Sequence, residues 1–251
     1  ASKAKLDANE AEVVQEGSRN SVVTVADLKT MMGDGNDECV NFLIQRATEM
    51  YGGAAKCGDK QRRAYAFTTA LYQTLTGGPG EDGRTGLERV AKWTRHRDDE
   101  RRPGRPVLTD LDVVLVPIGT GQGADGGGAG AHWSLMVLDM GEKQMYFYDS
   151  LGRNGQAHFE RLREYLAATW ERTYRGEKLD TDEWGLTHVA TPAQSGRVCA
   201  VRTAMHAVYA LQAKEQTQEG EGLEVLKDDG EGGEGERRLR LFAVNCIRTG
   251  Q

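Results

Sequence analysis

The chain has 251 residues, of which 38% are hydrophobic and 28% are charged, as is typical of a globular protein with a sizeable core. Its formal net charge of −6 argues against binding to nucleic acid, and no stretch approaches the roughly 20 apolar residues that span a bilayer. Four widely spaced cysteines argue against a metal site or a disulfide framework and favour the cytoplasm or nucleus.

The first half of the chain carries mainly helix signals after a polar tail. We expect residues 1–20 to form that flexible tail and residues 21–251 to form a single domain. Capping residues, apolar spacing and chain breakers predict a helix start at Thr24–Asp27, an amphipathic helix over 37–50, a helix over 60–75 and a short helical piece around 87–93.

The second half mixes strands with helices. Runs of β-forming residues predict strands over 112–117, 132–139 and 144–149 and a short strand at Val189, and apolar periodicity predicts helices over 159–174 and 199–211. The segment 214–236 is acidic and glycine-rich, so we expect a disordered low-complexity insertion there.

The two strands on either side of residues 140–143 predict a hairpin. His132 and Asp149 are equidistant from the Met140–Gly141 bond, so an antiparallel pair without a bulge would place these two residues directly opposite each other. Directly opposed residues have Cβ atoms about 5 Å apart, which is close enough for a carboxylate to orient an imidazole. The alternative interpretation is a half-buried structural His–Asp pair without a catalytic role.

Cys199 follows a turn-like stretch and begins an apolar helix. The positive end of a helix dipole favours a thiolate, and the first amides of a helix can donate to an oxyanion. Gln194, just upstream, is a candidate second donor through its side-chain amide. Alternatively, Cys199 is a small apolar residue that fills the core.

Together these motifs resemble the Ulp/SENP cysteine protease family (peptidase family C48, clan CE) over roughly residues 21–212. The resemblance depends on the following segments: Asn36-Asp37-Glu38-Cys39-Val40-Asn41-Phe42, His132-Trp133-Ser134-Leu135, Tyr148-Asp149-Ser150-Leu151, and Gln194 with Cys199 at the head of a helix. It implies an α+β, papain-like fold of the adenain/Ulp type, with a central mixed β-sheet flanked by helices.

The resemblance also implies roles for individual residues. Cys199 would attack the carbonyl carbon after a Gly-Gly tail, with His132 as base and then acid and Asp149 orienting it. Gln194 and the Cys199 N–H would form the oxyanion hole. Trp133 would cover a channel too narrow for side chains. The alternative interpretation is that Trp133 is a core aromatic residue on a strand. Asn36 and Asp37 belong to a motif that implies contacts with the substrate.

Within that family, the glycine-rich loop before His132 and the Pro192-Ala193-Gln194 stretch favour the NEDD8-specific branch, with a SUMO-specific protease as the alternative. The expected partner is therefore a ubiquitin-like modifier (NEDD8 or SUMO) and its conjugates, bound by a monomer that needs no cofactor. An acetyltransferase related by clan and a non-catalytic module that binds a ubiquitin-like protein are further alternatives.

The sequence departs from the family pattern at four places. Val198 and Ala200 flank the nucleophile where the family usually has Asp and Gly, and Gln194 is one position closer to it than usual. Asp34-Gly35 stands where a second channel tryptophan is expected, and the acidic segment 214–236 is an addition. These departures indicate a divergent member with slow turnover or altered specificity.

Overall fold

The structure of the chain is a computed structural model. The structure describes residues 13–16, 22–31, 35–52, 56–57, 60–61, 63–96, 99, 101, 105–120, 132–174, 176–191, 193 and 198–212. The predicted insertion 214–236 and most of the predicted tail lie outside the described residues. Among the described residues, no helix has the length and apolar character required to cross a membrane.

A mixed five-stranded sheet forms the centre of the molecule. Its strands are, in spatial order, β5 (Ala64–Ala66), β6 (Val113–Thr120), β7 (His132–Asp139), β8 (Gln144–Tyr148) and β9 (Gly185–Val189). The outer pairs β5–β6 and β8–β9 are parallel, and the two inner pairs are antiparallel. Two small antiparallel pairs precede it: β1 (Val13–Glu16) with β2 (Val22–Thr24), and β3 (Lys56–Cys57) with β4 (Lys60–Gln61).

Six α-helices and one short 3₁₀ helix (Leu108–Asp110) surround the sheet in the described part of the chain. The α-helices are α1 (Val25–Thr30), α2 (Asp37–Tyr51), α3 (Thr69–Thr76), α4 (Gly86–Val90), α5 (Gln156–Thr173) and α6 (Cys199–Gln212). The predicted helix over 37–50, the hairpin and the helix at Cys199 are confirmed, and the capping residues Thr24 and Asp27 form the predicted box at the start of α1.

Both faces of the sheet are covered, and the central strand shows why. All eight residues of β7 are buried. Leu135 and Val137 pack in the core that contains α2 and α6, whereas Met136 and Leu138 pack in the core that contains α3 and α5. A strand buried on both sides needs a nearly continuous apolar sequence, which is what this segment has. The predicted mixed sheet flanked by helices is thus confirmed.

The predicted helix over 60–75 is wrong in its first half. Residues 64–66 form β5, whose Ala64 pairs in parallel with Val113 of β6, and α3 begins only at Thr69. A short apolar run is compatible with either a strand or a helix, so pairing with β6, almost 50 residues later, decides the conformation.

Candidate active site

The hairpin of β7 and β8 brings His132 and Asp149 together, but not in the predicted register. Leu135 pairs with Tyr148 and Asp139 pairs with Gln144, so the hairpin is centred on the Gly141–Glu142 bond, one residue later than predicted. His132 and Asp149 are therefore not directly opposite each other. They still meet, because residues on the same face of a sheet also contact each other diagonally.

Asp149 contacts His132 because the chain turns away from the ladder immediately after β8. Asp149 Oδ1 lies 2.9 Å from His132 Nε2, and both side chains are only 4% exposed. The same Oδ1 accepts a hydrogen bond from Leu151 N at 2.6 Å, and the Asp149 carbonyl accepts from Gly152 N and from Thr191 Oγ1. These bonds hold both the carboxylate and the backbone of Asp149 in place.

Cys199 approaches the same histidine from the other side. It is the first residue of α6, because the carbonyl of Val198 accepts the first helical hydrogen bond, from Arg202 N. The Cys199 side chain is buried and hydrogen-bonds to His132. Since Asp149 occupies Nε2 of the imidazole, Nδ1 is the ring nitrogen left for the thiol. The three groups thus form one hydrogen-bonded chain.

The charges of the site favour a protonated histidine. Burial lowers the pKa of His132, but the hydrogen bonds and the charges of Asp149 and Cys199 outweigh it and raise the pKa to about 9. Burial also opposes the charge of Asp149, yet the hydrogen bonds from His132 and Leu151 N keep the pKa of this carboxyl below its usual value. The arrangement supplies a thiol nucleophile, an imidazole able to transfer a proton and a carboxylate that fixes its orientation.

One of the two predicted oxyanion donors, the N–H of Cys199, lies among the described residues. Cys199 N–H belongs to the first turn of α6, where no residue of the helix supplies an i−4 acceptor. Gln194, the predicted second donor, lies outside the described residues, so its role stays a prediction. Among the described residues, no group of three or more His, Cys, Asp or Glu side chains could hold a metal ion.

Trp133 is buried rather than displayed at the surface. Its side chain is 1% exposed and packs in the core that contains Cys199 and Ala200. The ring lies against Gly119 of β6, where an added Cβ would lie 2.8 Å from its Cζ3 atom. This is the environment of a core aromatic directly beside His132, and the predicted role as the roof of a channel stays a prediction.

Asn36 has a structural role in this arrangement. Its Oδ1 accepts a hydrogen bond from Cys39 N and so caps α2, while its Nδ2 donates to Asp27 Oδ1 at 2.6 Å. Asp37, in the first turn of α2, is partly exposed.

Asp27 joins two local structures that the sequence shows only separately. Its Oδ2 accepts hydrogen bonds from the backbone and the hydroxyl of Thr24, and its Oδ1 accepts from Asn36. The capping pattern identifies the bonds to Thr24, but the link to Asn36 follows only from the fold.

The comparisons with known proteins identify the family of the chain. The family model described as "Ulp1 protease family, C-terminal catalytic domain" matches residues 36–199. The chain is 33% identical over 144 residues to a sentrin-specific protease of Caenorhabditis elegans, a match that covers 57% of this chain and 16% of that protein. It is 29% identical over 195 residues to sentrin-specific protease 2 of Mus musculus, covering 74% of this chain and 28% of that protein.

Among solved structures, the C-terminal Ulp1 protease domain in complex with Smt3, the yeast orthologue of SUMO, has a similar fold. The TM-score is 0.60 at 20% identity, covering 93% of this chain and 86% of that domain. The chain spans less than a third of the length of the two curated relatives.

Proposed function

The chain belongs to the Ulp1 protease family, and we propose that it is a cysteine protease that cleaves after the Gly-Gly tail of a ubiquitin-like modifier, with SUMO as the preferred modifier. The observation that carries the proposal is the hydrogen-bonded chain from Asp149 through His132 to Cys199. The relatives reported above are sentrin- and SUMO-directed by name, and none of them supports the NEDD8 preference predicted from the sequence.

In the proposed mechanism, the Cys199 sulfur attacks the carbonyl carbon of the terminal glycine, and the carbonyl oxygen becomes an oxyanion held by Cys199 N–H and the Gln194 side chain. His132 then donates its proton to the leaving amine as the C–N bond breaks. The product is a thioester, which a water molecule hydrolyses after giving a proton to His132. Asp149 stabilises the imidazolium throughout.

The proposed specificity depends on the surroundings of His132. Trp133 is buried beside the histidine, and we propose that its indole limits the adjacent tail to residues without side chains. Asp37 is a proposed contact for the modifier, and Asn36 supports it by capping α2. Since a cysteine nucleophile must stay reduced, we propose that the protein acts in the cytoplasm or nucleus.

The test uses SUMO, NEDD8 and ubiquitin, each with an electrophile in place of its C-terminal carboxylate. We expect a covalent adduct with SUMO that forms faster than with the other two and is lost in Cys199→Ala. Cys39→Ala is the matched control, because Cys39 is also a buried cysteine but donates to the carbonyl of Asp27 instead of contacting a histidine.

If the adduct with NEDD8 forms faster than the adduct with SUMO, the proposal of protease activity stands and the preferred modifier is NEDD8. If no adduct forms but a modifier binds tightly, the chain is a binding module and the protease proposal is wrong. Mass spectrometry of the intact protein distinguishes these outcomes.

A further inference from the structure

Two of the departures from the family pattern lie next to each other in space. Gly35, in the segment before α2, has a φ of +68°, and a Cβ placed on it would lie only 2.6 Å from the Cβ of Ala200. The same Cβ would lie 3.3 Å from the sulfur of Met31. Ordinary van der Waals contact requires 3.4 Å or more, so a side chain at position 35 and the methyl group of Ala200 exclude each other.

Neither partner can easily move away from the other. Gly35 N donates to the carbonyl of Thr30, and the next residue, Asn36, is held by Asp27 and by its capping bond to Cys39 N. Ala200 is 2% exposed and lies in the first turn of α6. Because both sides are anchored, a clash between them would displace the beginning of α6 rather than be absorbed locally.

Cys199 immediately precedes Ala200 in that first turn. A displacement of this turn therefore moves the sulfur relative to His132, which is itself fixed on β7 by its bond to Asp149. We propose that Gly35 and Ala200 are a complementary pair of positioning residues: the absence of a side chain at Gly35 is what allows alanine to follow the nucleophile while Cys199 keeps its hydrogen bond to His132. This proposal rests on the proposed function, in which Cys199 is the nucleophile.

The experiment measures the rate at which iodoacetamide alkylates Cys199, resolved from the other cysteines by peptide mass spectrometry. This reaction needs no modifier, so its result is independent of whether the chain cleaves SUMO. The variants are Gly35→Ala, Ala200→Gly and the double variant. Gly83→Ala is the matched control for backbone strain, because Gly83 has a φ of +72° with open space around it.

We expect Gly35→Ala to slow the alkylation of Cys199 about tenfold or more when Ala200 is present. In the Ala200→Gly background the same change should slow it by less than about threefold, because the effects of substituting two residues in direct contact are not additive. Gly83→Ala should leave the alkylation rate of Cys199 within about twofold of that of the native protein, since this variant carries only the strain of an alanine at positive φ. An equal loss in both backgrounds, or no loss in Gly35→Ala, would overturn the proposal.

Cys39 distinguishes misplacement from simple unfolding. This thiol is buried in the core, and its burial raises its pKa to about 12, so it reacts slowly while the protein is folded. Unfolding would increase alkylation at Cys39, whereas misplacement of α6 lowers the rate at Cys199 alone. If Gly35→Ala does not fold, recovery of a folded, reactive protein in the double variant supports the pair, and failure to recover overturns it.

Discussion

Asp149 Oδ1 lies 2.9 Å from His132 Nε2, although the two residues are not partners in the β7–β8 ladder. The contact is diagonal. It exists because the chain turns directly after Tyr148 and because Leu151 N donates a hydrogen bond to the same carboxylate oxygen. The orientation of the imidazole therefore depends on this turn as much as on the hairpin.

Asp149→Asn should lower kcat strongly without unfolding the protein. The amide can still accept from Leu151 N, but it carries no charge to stabilise the imidazolium, so we expect a loss on the order of 10²–10⁴-fold. The measurement is hydrolysis of a SUMO C-terminal reporter substrate, together with the thermal midpoint.

Asp139→Asn is the matched control for this change. Asp139 is buried at the opposite end of β7, where its carboxylate accepts from Gly141 N and Glu142 N in the hairpin turn. It should affect stability at least as much as Asp149→Asn and leave kcat nearly unchanged. Equal kcat losses in the two variants would show that Asp149 matters only for folding.

The activity should decrease as the pH rises through about 9. His132 has a pKa of about 9, raised from 6.5 by its bonds to Asp149 and Cys199 against the effect of burial, so below pH 9 it keeps the proton that the leaving amine needs. Above pH 9 the imidazolium loses that proton. The measurement is the pH profile of kcat/KM for the reporter substrate, because this ratio reports the pKa values of the free protein.

The same pKa can be followed by NMR in Cys199→Ala. Removing the thiol removes one of the partners that raise the pKa of His132, so this pKa should fall while the bond to Asp149 remains. His158 provides the internal reference, because neither its bond to Tyr72 nor the charge of Asp149, which also acts on it, is changed by this substitution. A His132 pKa that does not change in the variant would contradict the contact with Cys199.

Gly119→Ala should destabilise the protein by about 1–3 kcal/mol, as overpacking of a core does. The new Cβ would lie 2.8 Å from the ring of Trp133, which is buried and cannot swing outward. The activity should fall as well, because His132 precedes Trp133 on the same strand. Gly78→Ala is the control, since no atom lies within 4 Å of the added Cβ. Denaturant unfolding and reporter hydrolysis measure the two effects.

His206→Phe should leave stability unchanged or raise it by up to about 1 kcal/mol, whereas His206→Ala should cost about 2–4 kcal/mol. The His206 ring is 1% exposed and stacks on Tyr148 with 5.4 Å between centroids, and neither ring nitrogen has a hydrogen-bond partner in the described structure. Burial, followed by the charge of Arg202, lowers its pKa to about 3, so the ring is neutral. Denaturant unfolding measures both variants, and a large loss in His206→Phe would reveal a polar contact.

Asn36→Ala should cost about 1 kcal/mol of stability through the lost cap, and Asn36→Ser should restore most of it. Neither change should alter KM for the modifier directly, because both ends of the Asn36 side chain are bonded within the protein. Asp37→Ala should raise KM. The opposite pattern, with KM affected by Asn36→Ser alone, would make Asn36 the substrate contact.

The sequence by itself determined the local elements on which the site is built. The capping box at Thr24, the long helix that begins at Asp37, the hairpin turn after Asp139 and the helix that begins at Cys199 are all confirmed by the structure. Each is encoded by residues within a few positions of one another, so propensity, spacing and capping suffice to predict it.

Only the tertiary structure decided how these elements meet. The strand Ala64–Ala66 exists because β6 pairs with it, and the diagonal approach of Asp149 to His132 depends on both the register of the hairpin and the turn after Tyr148. The contact between Gly35 and Ala200 joins residues 165 positions apart. Such contacts depend on packing between distant segments, and no local pattern of residues contains that information.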